Sequence, residues 1–290
     1  MELENARITI VGLGLMGGSM ALRLQQRCKR LVGVDSDPNT IKLASRAGIT
    51  TQELGAALTN TGVLVLATPV KESLGLLEVF RANPPSVSLL MDIGSTKRKI
   101  VEAMDLLPDH VAAVGGHPLC GKERAGFPEA ESGLFDGCRF VLTPSSRSTP
   151  SSLALAEQIV RALGATPLQM EAARHDQLLA SASHLPYLLA AALIGTAESV
   201  GGKDPELWDM VASGFLSTSR LAASDLTMMV DILTTNRDMV QNALSGAQAE
   251  LDLLRGLIDE GKPGPLREYL EPLQRRRVSL REPRSAAHGA

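Results

Sequence analysis

Short aliphatic runs recur along the first part of the chain, and helical patterns of apolar and polar residues lie between them. The runs are short and carry few charges, as expected of strands that are covered on both faces of a sheet. They predict strands at residues 8–11, 31–34, 63–67, 86–91, 111–114, 140–143 and 166–170. Strands that alternate with helices in this way predict an α/β fold with a doubly wound parallel sheet.

Capping residues mark several of the helices between these strands. Asp37 and Pro38 are typical of a helix start, and Gly48 is typical of the position after a helix end. One helix is predicted over residues 70–81 and another over 151–163, with Gly164 as its C′ residue.

The first strand leads directly into a glycine-rich turn and a helix. The turn has the pattern G-x-G-x-x-G and consists of Gly12, Leu13, Gly14, Leu15, Met16 and Gly17. In a dinucleotide site the first glycine allows the tight turn, the second lets the backbone approach a pyrophosphate, and the third lets the helix pack on the strand. The helix N-terminus offers N–H groups to the phosphates. The stretch predicts a dinucleotide site, and an ordinary strand–turn–helix connection is the alternative.

Asp35 indicates which dinucleotide is bound. It ends the second predicted strand, at the spacing expected of a carboxylate that accepts hydrogen bonds from the adenosine ribose. A carboxylate repels a 2′-phosphate, and Asp37 adds a second negative charge. We therefore expect NAD to be preferred over NADP, although Lys42 or Arg46 could make NADP possible.

The pattern changes near residue 170, after which strand signals stop and segments rich in Ala, Leu and Met dominate. We predict a dinucleotide-binding Rossmann domain at 1–170, a helical substrate and dimerisation domain at 171–274, and a basic flexible tail at 275–290. Two helices, at about 172–200 and about 225–260, are predicted to be buried nearly all round. A small helical domain cannot easily cover both, which predicts a homodimer.

Charge and cysteine content narrow the class of protein. The net charge of −3 and the scarcity of aromatic residues argue against a nucleic-acid partner. Three cysteines without C-x-x-C spacing and an acidic N-terminus predict a cytoplasmic protein. Residues 177–197 carry no formal charge, but the apolar run at 185–195 is about half of the ~20 residues that span a bilayer. We therefore predict a buried helix there and no membrane partner.

Several strand ends carry residues suited to chemistry, and parallel strands bring those ends to one crevice. Thr68, Pro69, Ser95 and His117 all follow predicted strands. A histidine is well suited to take a hydroxyl proton at neutral pH, so His117 is the candidate base. A structural histidine is the alternative. Ser95 could contact His117 and the substrate, or it could N-cap the helix that begins near residue 96.

The helical region adds a polar face and an arginine. Gln177, Ser181, His184 and Tyr187 share one face at helical spacing, which predicts either a pocket lining or a polar pairing across an interface. Arg220 lies among small polar residues and is the candidate to bind a carboxylate. A plain helix-end arginine is the alternative.

Five segments occur in an order that resembles the prephenate/arogenate dehydrogenase family (TyrA). They lie at residues 12–19, 92–97, 116–121, 183–186 and 213–220, and the likeness extends from Ile8 to about Leu273. The resemblance implies oxidative decarboxylation of prephenate and/or arogenate with hydride transfer to a nicotinamide, as part of tyrosine biosynthesis.

The same resemblance implies roles for individual residues. His117 would take the proton of the substrate ring hydroxyl, and Ser95 would orient it. Arg220 would bind a substrate carboxylate, and His184, Tyr187 and Glu123 would shape the pocket. No metal is expected, because aromatisation of the ring drives the reaction.

Two positions depart from the family pattern. Tyr187 stands where some members have histidine, which leaves the choice between prephenate and arogenate open, and Cys120 stands where alanine is more usual. A β-hydroxyacid dehydrogenase is one alternative, although that class uses a lysine of its helical domain and the only lysines past residue 170 are Lys203 and Lys262. An NAD-binding module without catalysis is the other alternative.

Overall fold

The N-terminal part of the chain forms one eight-stranded sheet with helices on both faces. The computed structural model describes residues 2–122 and 124–280. The strand order is β3-β2-β1-β4-β5-β6-β7-β8. The strands are β1 Arg7–Val11, β2 Arg30–Val34, β3 Thr50–Thr51, β4 Val63–Leu66, β5 Leu89–Asp92, β6 Ala113–Pro118, β7 Arg139–Pro144 and β8 Thr166–Gln169.

The sheet is parallel from β1 to β6, and its last two strands run in the opposite direction. β6 pairs with β7 antiparallel, and β8 pairs parallel with β7. The prediction of a parallel sheet is therefore wrong at this edge. The described residues of the connection from β6 to β7 form a short 3₁₀ turn, Phe127–Glu129, instead of the crossover helix that a parallel pair requires. β3 was not predicted, since two threonines carry no pattern of their own.

Two hydrophobic clusters sandwich the sheet. One joins the inner sides of the helices Leu15–Leu24 and Pro150–Ala162 to one face, through residues such as Met20, Leu24 and Ile159. The other joins the helices Val70–Ala82 and Arg98–Asp105 to the opposite face, through Phe80 and Met104. The helices of this domain are α1 Leu15–Leu24, α2 Pro38–Arg46, α3 Leu54–Leu58, α4 Val70–Ala82, α5 Arg98–Asp105 and α6 Pro150–Ala162.

The predicted helix ends have the expected geometry. Asp37 is the N-cap of α2 and accepts hydrogen bonds from the backbone N–H groups of Asn39 and Thr40. Gly48 and Gly164 both have positive φ, which L-residues with a side chain rarely adopt. These glycines allow the chain to leave α2 and α6 and enter the next strand.

Only helices follow β8 in the described part of the chain. They are α7 Ala172–Leu179, α8 Leu185–Gly201, α9 Ser213–Ser219, α10 Leu226–Thr235, α11 Arg237–Asp259 and α12 Pro263–Ser279. A π-helical turn, Ala180–His184, joins α7 to α8, so that residues 172–201 form one continuous helical segment as predicted. The prediction of one helix over 225–260 is wrong, because the chain breaks at Asn236, which ends α10 and precedes α11.

The long helices leave most of their surface uncovered in the single chain. α8 buries only Ala190, Ala197 and Gly201, and α11 buries only Val240. Within the described residues, Ala172–Gly201 is the one helical segment with the length and apolar composition of a membrane span, and 17% of its most apolar window is buried. The expected burial of residues 177–197 is therefore not provided by this chain alone.

The last helix changes the predicted C-terminal boundary. Residues 275–279 belong to α12 rather than to a flexible tail. The remainder of the predicted tail, residues 281–290, lies outside the described residues.

Candidate active site

The glycine-rich turn packs tightly against the end of the neighbouring strand. Gly12 has a φ of 92°, and a Cβ added there would lie 2.7 Å from the backbone oxygen of Ala67. A Cβ at Gly17 would lie 1.9 Å from the backbone oxygen of Gly12. Neither position has room for a side chain, so glycine is required for α1 to lie against β1.

The turn is open where a dinucleotide phosphate would approach. A Cβ at Gly14 would meet no atom within 4 Å. α1 begins at Leu15 with Gly14 as its N-cap, and the N–H groups of its first turn have no acceptor within the helix. The half-buried Leu15 and Met16 pack beside this turn. The backbone here fits a pyrophosphate, because it offers free donors at the positive end of a helix.

Asp35 lies beside the same turn, at the end of β2. One of its carboxylate oxygens accepts a hydrogen bond from the backbone N–H of Leu13 at 2.7 Å. The other accepts from the backbone N–H of Asp37 at 2.9 Å. A carboxylate oxygen can accept more than one hydrogen bond, so both oxygens retain capacity for a ribose hydroxyl. The backbone contacts hold the carboxylate in place for that role.

Thr68 and Pro69 end the strand next to the glycine turn, because β1 and β4 are neighbours in the sheet. The Thr68 hydroxyl is 2.8 Å from the hydroxyl of Ser73. Pro69 is the N-cap of α4 and is exposed. Both residues therefore lie at the carboxyl edge of the sheet, where the sequence places them.

His117 lies inside β6 rather than after it. The strand extends to Pro118 because β7 pairs with it, and His117 is opposite Val141. The residue before it is also fixed, since the backbone N–H of Gly116 donates to Asp92 at 3.0 Å. A Cβ at Gly116 would come within 2.5 Å of the Asp92 backbone oxygen, so this approach requires glycine. The His117 ring is thus attached to a rigid part of the sheet.

A second histidine, His175 of α7, contacts the ring of His117. The Nδ1 atom of His117 is 2.8 Å from Nε2 of His175. The Nδ1 atom of His175 is in turn 2.8 Å from the Oδ1 atom of Asp176. His175 and Asp176 are both fully buried, whereas His117 is half-buried. The three side chains form a relay that leads from a buried carboxylate to a partly exposed imidazole.

The donor and acceptor capacity of these groups determines which ring nitrogens of the relay carry a proton. An ionised Asp176 can only accept, so the Nδ1–H group of His175 donates to it. The Nε2 atom of a neutral His175 then accepts a hydrogen bond, and His117 must donate to it through Nδ1–H. This arrangement leaves a free lone pair on Nε2 of His117. The relay therefore selects the tautomer of His117 that can act as a base.

The electrostatic surroundings keep these groups in the required states. Burial lowers the pKa of His117 well below its usual value, and the nearby His175, Lys97 and His184 lower it further. Burial by itself raises the pKa of Asp176, but hydrogen bonds from His175 and from the backbone of Arg98 and Lys97 outweigh it, and the net pKa is lowered. A neutral His117 beside an ionised Asp176 is the resulting state at neutral pH.

Asp176 also caps the helix that follows β5. Its two oxygens accept from the backbone N–H groups of Lys97 at 2.7 Å and Arg98 at 2.9 Å. α5 begins at Arg98, so these are N–H groups of its first turn. Beneath this cap, Lys97 and Asp92 form a completely buried ion pair. One carboxylate from the helical domain thus anchors a strand-end loop of the sheet domain.

Ser95 has neither of the two predicted contacts. α5 starts after Lys97 and is capped by Asp176, so the prediction of Ser95 as its N-cap is wrong. Within the described residues, the Nδ1 atom of His117 bonds His175, and Ser95 makes no hydrogen bond to the ring. Ser95 is half-buried in the loop that follows β5, on the same edge of the sheet as His117.

His184 is buried rather than lining an open pocket. Its Nδ1 atom is 3.3 Å from the side-chain nitrogen of Asn236, which also donates to the backbone oxygen of Asp176 at 2.8 Å. Burial lowers the pKa of His184 to about 4. The side-chain oxygen of Asn236 is buried without a hydrogen-bond partner in the structure.

The residues of the predicted polar face at 177–187 do not all share one environment. Gln177 and Ser181 line a groove of about 640 Å³ between this segment and α11. His184 faces Asn236 instead, because the π-helical turn changes the angle between successive side chains. Tyr187 is half-buried one turn further along α8.

Arg220 is the last predicted site residue that the structure describes. Arg220 follows α9 and is exposed at the start of a 3₁₀ turn, Arg220–Ala223. This turn packs beside α8. Glu123 lies outside the described residues.

His175, Asp176 and Asn236 are the residues that sequence reasoning missed. The adjacent His175 and Asp176 are a polar pair at the start of a mostly apolar segment, and this pair was the available signal. Their contact with His117 joins residues 58 positions apart. The local sequence pattern does not predict that these two residues come into contact.

Comparison with known proteins is consistent with this arrangement. The family description "Prephenate dehydrogenase, nucleotide-binding domain" matches residues 20–168, and "Prephenate dehydrogenase, dimerization domain" matches residues 171–272. A prephenate dehydrogenase of Bacillus subtilis (strain 168) is 28% identical over 271 residues, which cover 91% of this chain and 73% of the relative. A cyclohexadienyl dehydrogenase of Zymomonas mobilis is 28% identical over 284 residues, 94% of this chain and 96% of the relative.

Solved structures agree with the sequence relatives. A prephenate dehydrogenase from A. aeolicus, in complex with hydroxyphenyl propionate and NAD+, has a TM-score of 0.88 and 28% identity, covering 96% of this chain and 99% of that one. A Synechocystis arogenate dehydrogenase has a TM-score of 0.80 and 30% identity, covering 94% and 99%. The two domain matches follow each other along this chain, and the solved structures cover nearly its whole length. The chain belongs to the prephenate dehydrogenase family.

Proposed function

We propose that this chain catalyses the oxidative decarboxylation of prephenate or arogenate and that His117 is its general base. The relay from His117 through His175 to Asp176 carries the proposal, because it leaves Nε2 of His117 as a free proton acceptor at the carboxyl edge of the sheet. The family membership supplies the reaction class. This activity would place the protein in tyrosine biosynthesis.

The bound nicotinamide supplies the hydride acceptor. In the proposed reaction, Nε2 of His117 takes the proton of the ring hydroxyl as hydride leaves the same carbon. The C–C bond to the ring carboxylate then breaks and CO₂ leaves, while the electron pair of that bond makes the ring aromatic. The ring oxygen takes back the proton from His117, which gives the phenol and restores the neutral base. The positive charge that His117 gains is stabilised through His175 by the ionised Asp176, which sits in a buried site where such an interaction is strong.

Substrate binding is assigned to the residues that the family resemblance indicates. We assign a substrate carboxylate to Arg220, whose guanidinium can bind it through two hydrogen bonds. His184, Tyr187 and Glu123 are assigned to the pocket wall, and Ser95 to the substrate hydroxyl. The buried position of His184 suits a wall residue that acts through its contact with Asn236.

NAD is the proposed cofactor, with NADP as a weaker alternative. Gly12, Gly14 and Gly17 provide the turn and the open helix end for the pyrophosphate. The backbone N–H of Leu13 donates to Asp35, whose carboxylate would accept the ribose hydroxyl and repel a phosphate in its place. Thr68 and Pro69 complete this side of the crevice.

A homodimer formed through the helical domain is also proposed. The dimerization-domain match covers residues 171–272, and the apolar faces of α8 and α11 stay uncovered in one chain. A second copy would bury exposed residues such as Leu189 and Leu251. We expect the dimer to be cytoplasmic, as the cysteine content predicts.

The test is steady production of reduced nicotinamide with each substrate and each cofactor. We expect turnover with prephenate or arogenate, release of CO₂, and a higher kcat/KM with NAD than with NADP. Comparison of kcat/KM for prephenate and arogenate identifies which of the two substrates is preferred. NAD binding without turnover on either substrate would support the non-catalytic alternative and contradict the proposal.

A further inference from the structure

Two of the three cysteines face each other where β6 and β7 end their pairing. The register pairs Pro118 with Phe140, and the backbone N–H of Leu119 donates to the oxygen of Arg139 at 2.8 Å. Cys120 directly follows Leu119 and Cys138 directly precedes Arg139, so the two cysteines lie side by side just beyond the last paired residues. The chain therefore brings together two thiols that are 18 positions apart in the sequence.

The register also sets how closely the two residues approach. Opposed residues of antiparallel strands alternate between hydrogen-bonded and non-hydrogen-bonded positions. Leu119 and Arg139 occupy a hydrogen-bonded position, so Cys120 and Cys138 fall at the other kind, where Cα atoms are about 4.5 Å apart. A disulfide requires Cα atoms roughly 4.4–6.8 Å apart. The spacing of a non-hydrogen-bonded pair therefore falls within the range that a disulfide requires.

Backbone contacts hold Cys138 in this orientation. Its N–H donates to the oxygen of Phe135 at 3.2 Å, and its oxygen accepts from the N–H of Thr166 at 2.8 Å. Neither main-chain group of Cys138 forms its hydrogen bond with Cys120, as expected at a non-hydrogen-bonded position. Cys120 and Cys138 are each half-buried, so a small solute can reach them.

The two thiols are not equivalent. The Cys120 thiol donates to the Cys138 sulfur, which lowers the pKa of Cys138 and raises the pKa of Cys120. Burial raises the pKa of the third cysteine, Cys28. Because the thiolate is the nucleophile, Cys138 is the most reactive of the three.

We propose that Cys120 and Cys138 form a reversible peroxide-sensitive disulfide beside the strand that carries His117. The Cys138 thiolate attacks a peroxide oxygen, the O–O bond breaks, and Cys138 becomes a sulfenic acid while water is released. Cys120, giving up its proton, attacks the Cys138 sulfur, and the S–O bond breaks as a second water leaves. One hydrogen peroxide is reduced to two waters, and two thiols are oxidised to one disulfide.

The experiment treats the full-length protein with a small molar excess of hydrogen peroxide and counts free thiols before and after. Peptide mass spectrometry without reductant then identifies any link. We expect the wild type to lose two thiols, to yield a peptide pair joined through Cys120 and Cys138, and to recover both thiols with dithiothreitol. Cys28→Ala is the matched control and should give the same link.

Variants of the pair test the roles of the two sulfurs. Cys120→Ala, the residue more usual in the family, should leave Cys138 to oxidise beyond the sulfenic acid in a form that dithiothreitol does not restore. Cys138→Ala should slow the loss of the Cys120 thiol at least tenfold. A link that involves Cys28, a link between two chains, or retention of all three thiols in the wild type would overturn the proposal.

Discussion

At the scale of single residues, the ring of His117 depends on neighbours that never touch the substrate. Its Nδ1 atom is occupied by His175, so only Nε2 can accept a proton. Burial lowers its pKa, and the nearby His175, Lys97 and His184 lower it further, which favours the neutral ring. Both effects favour a base over an acid, which is what a proton acceptor requires.

Replacement of His117 by asparagine should lower kcat by roughly 10²–10⁴-fold, the usual contribution of a general base. NAD affinity, measured by calorimetry, should not change. In the wild type, the acid limb of kcat/KM should lie below the usual imidazole pKa of about 6.5, because only the neutral ring accepts a proton and its pKa is lowered. A mild loss of kcat in the variant would mean that another group is the base.

Arg220→Ala should lower kcat/KM by about 2–3 kcal/mol, as expected when a charge-assisted contact to a carboxylate is lost. The loss should appear mainly as a rise in KM and less as a fall in kcat. Arg81→Ala is a suitable control, because Arg81 is exposed in the last turn of α4, at the opposite end of the helix from the crevice. Equal kinetics for the Arg220 variant and the wild type would remove Arg220 from the pocket.

Asp35→Ser should reduce the preference for NAD over NADP, because a hydroxyl no longer repels a 2′-phosphate. The readout is the ratio of kcat/KM for the two cofactors. This ratio is independent of any general loss of affinity from the lost contact with Leu13. A wild-type enzyme that already favours NADP would contradict the assignment.

At the scale of elements, α7 links the two domains through adjacent residues with different tasks. His175 contacts the base on β6, and Asp176 caps α5. A buried hydroxyl pair, Thr96 and Thr235 at 2.8 Å, adds a second link between the strand-end loop and α10. The position of the base is therefore set jointly by the sheet and by the helical domain.

His175→Leu should lower kcat by about 10–100-fold, the equivalent of the ~1.5–3 kcal/mol expected for a hydrogen bond to a group that becomes charged. His175→Gln should recover part of the loss, because its amide oxygen can take the place of Nε2 and accept a hydrogen bond from Nδ1–H of His117. The acid limb of the pH profile should move in the leucine variant, which a purely structural defect would not cause. Wild-type kcat and pH profile in His175→Leu would exclude the relay.

At the scale of the whole molecule, the helical domain is incomplete without a partner. α8 and α11 expose Leu189, Leu244 and Leu251, each with more than a third of its surface accessible. Apolar residues also line the groove between these helices. Such a continuous surface is typical of a subunit interface.

The protein should sediment as a dimer at micromolar concentration. Leu251→Glu should shift it towards the monomer, because a charge would be buried in the interface. Leu106→Glu, an equally exposed position after α5 in the sheet domain, is the matched control and should remain dimeric. A monomeric wild type would contradict the proposed interface.

The sequence by itself determined the parts of this protein that depend on local pattern. Hydrophobic periodicity located most strands and helices, and the glycine pattern identified the dinucleotide turn, because each requires only neighbouring residues. Gly17 is an example: its spacing from Gly12 predicts the close approach that the structure has. The position of His117 after a predicted strand made it the candidate base, and the family resemblance added its role toward the ring hydroxyl.

Only the tertiary structure decided the features that join distant parts of the chain. The reversal of β7, the break at Asn236 and the relay from His117 to Asp176 depend on partners that are far away in sequence. Position in the sequence made Ser95 a candidate cap for α5, yet a carboxylate from another domain performs that task. A polar group bonds, and an apolar surface packs against, whichever residue the fold brings near. The local sequence pattern does not identify that residue.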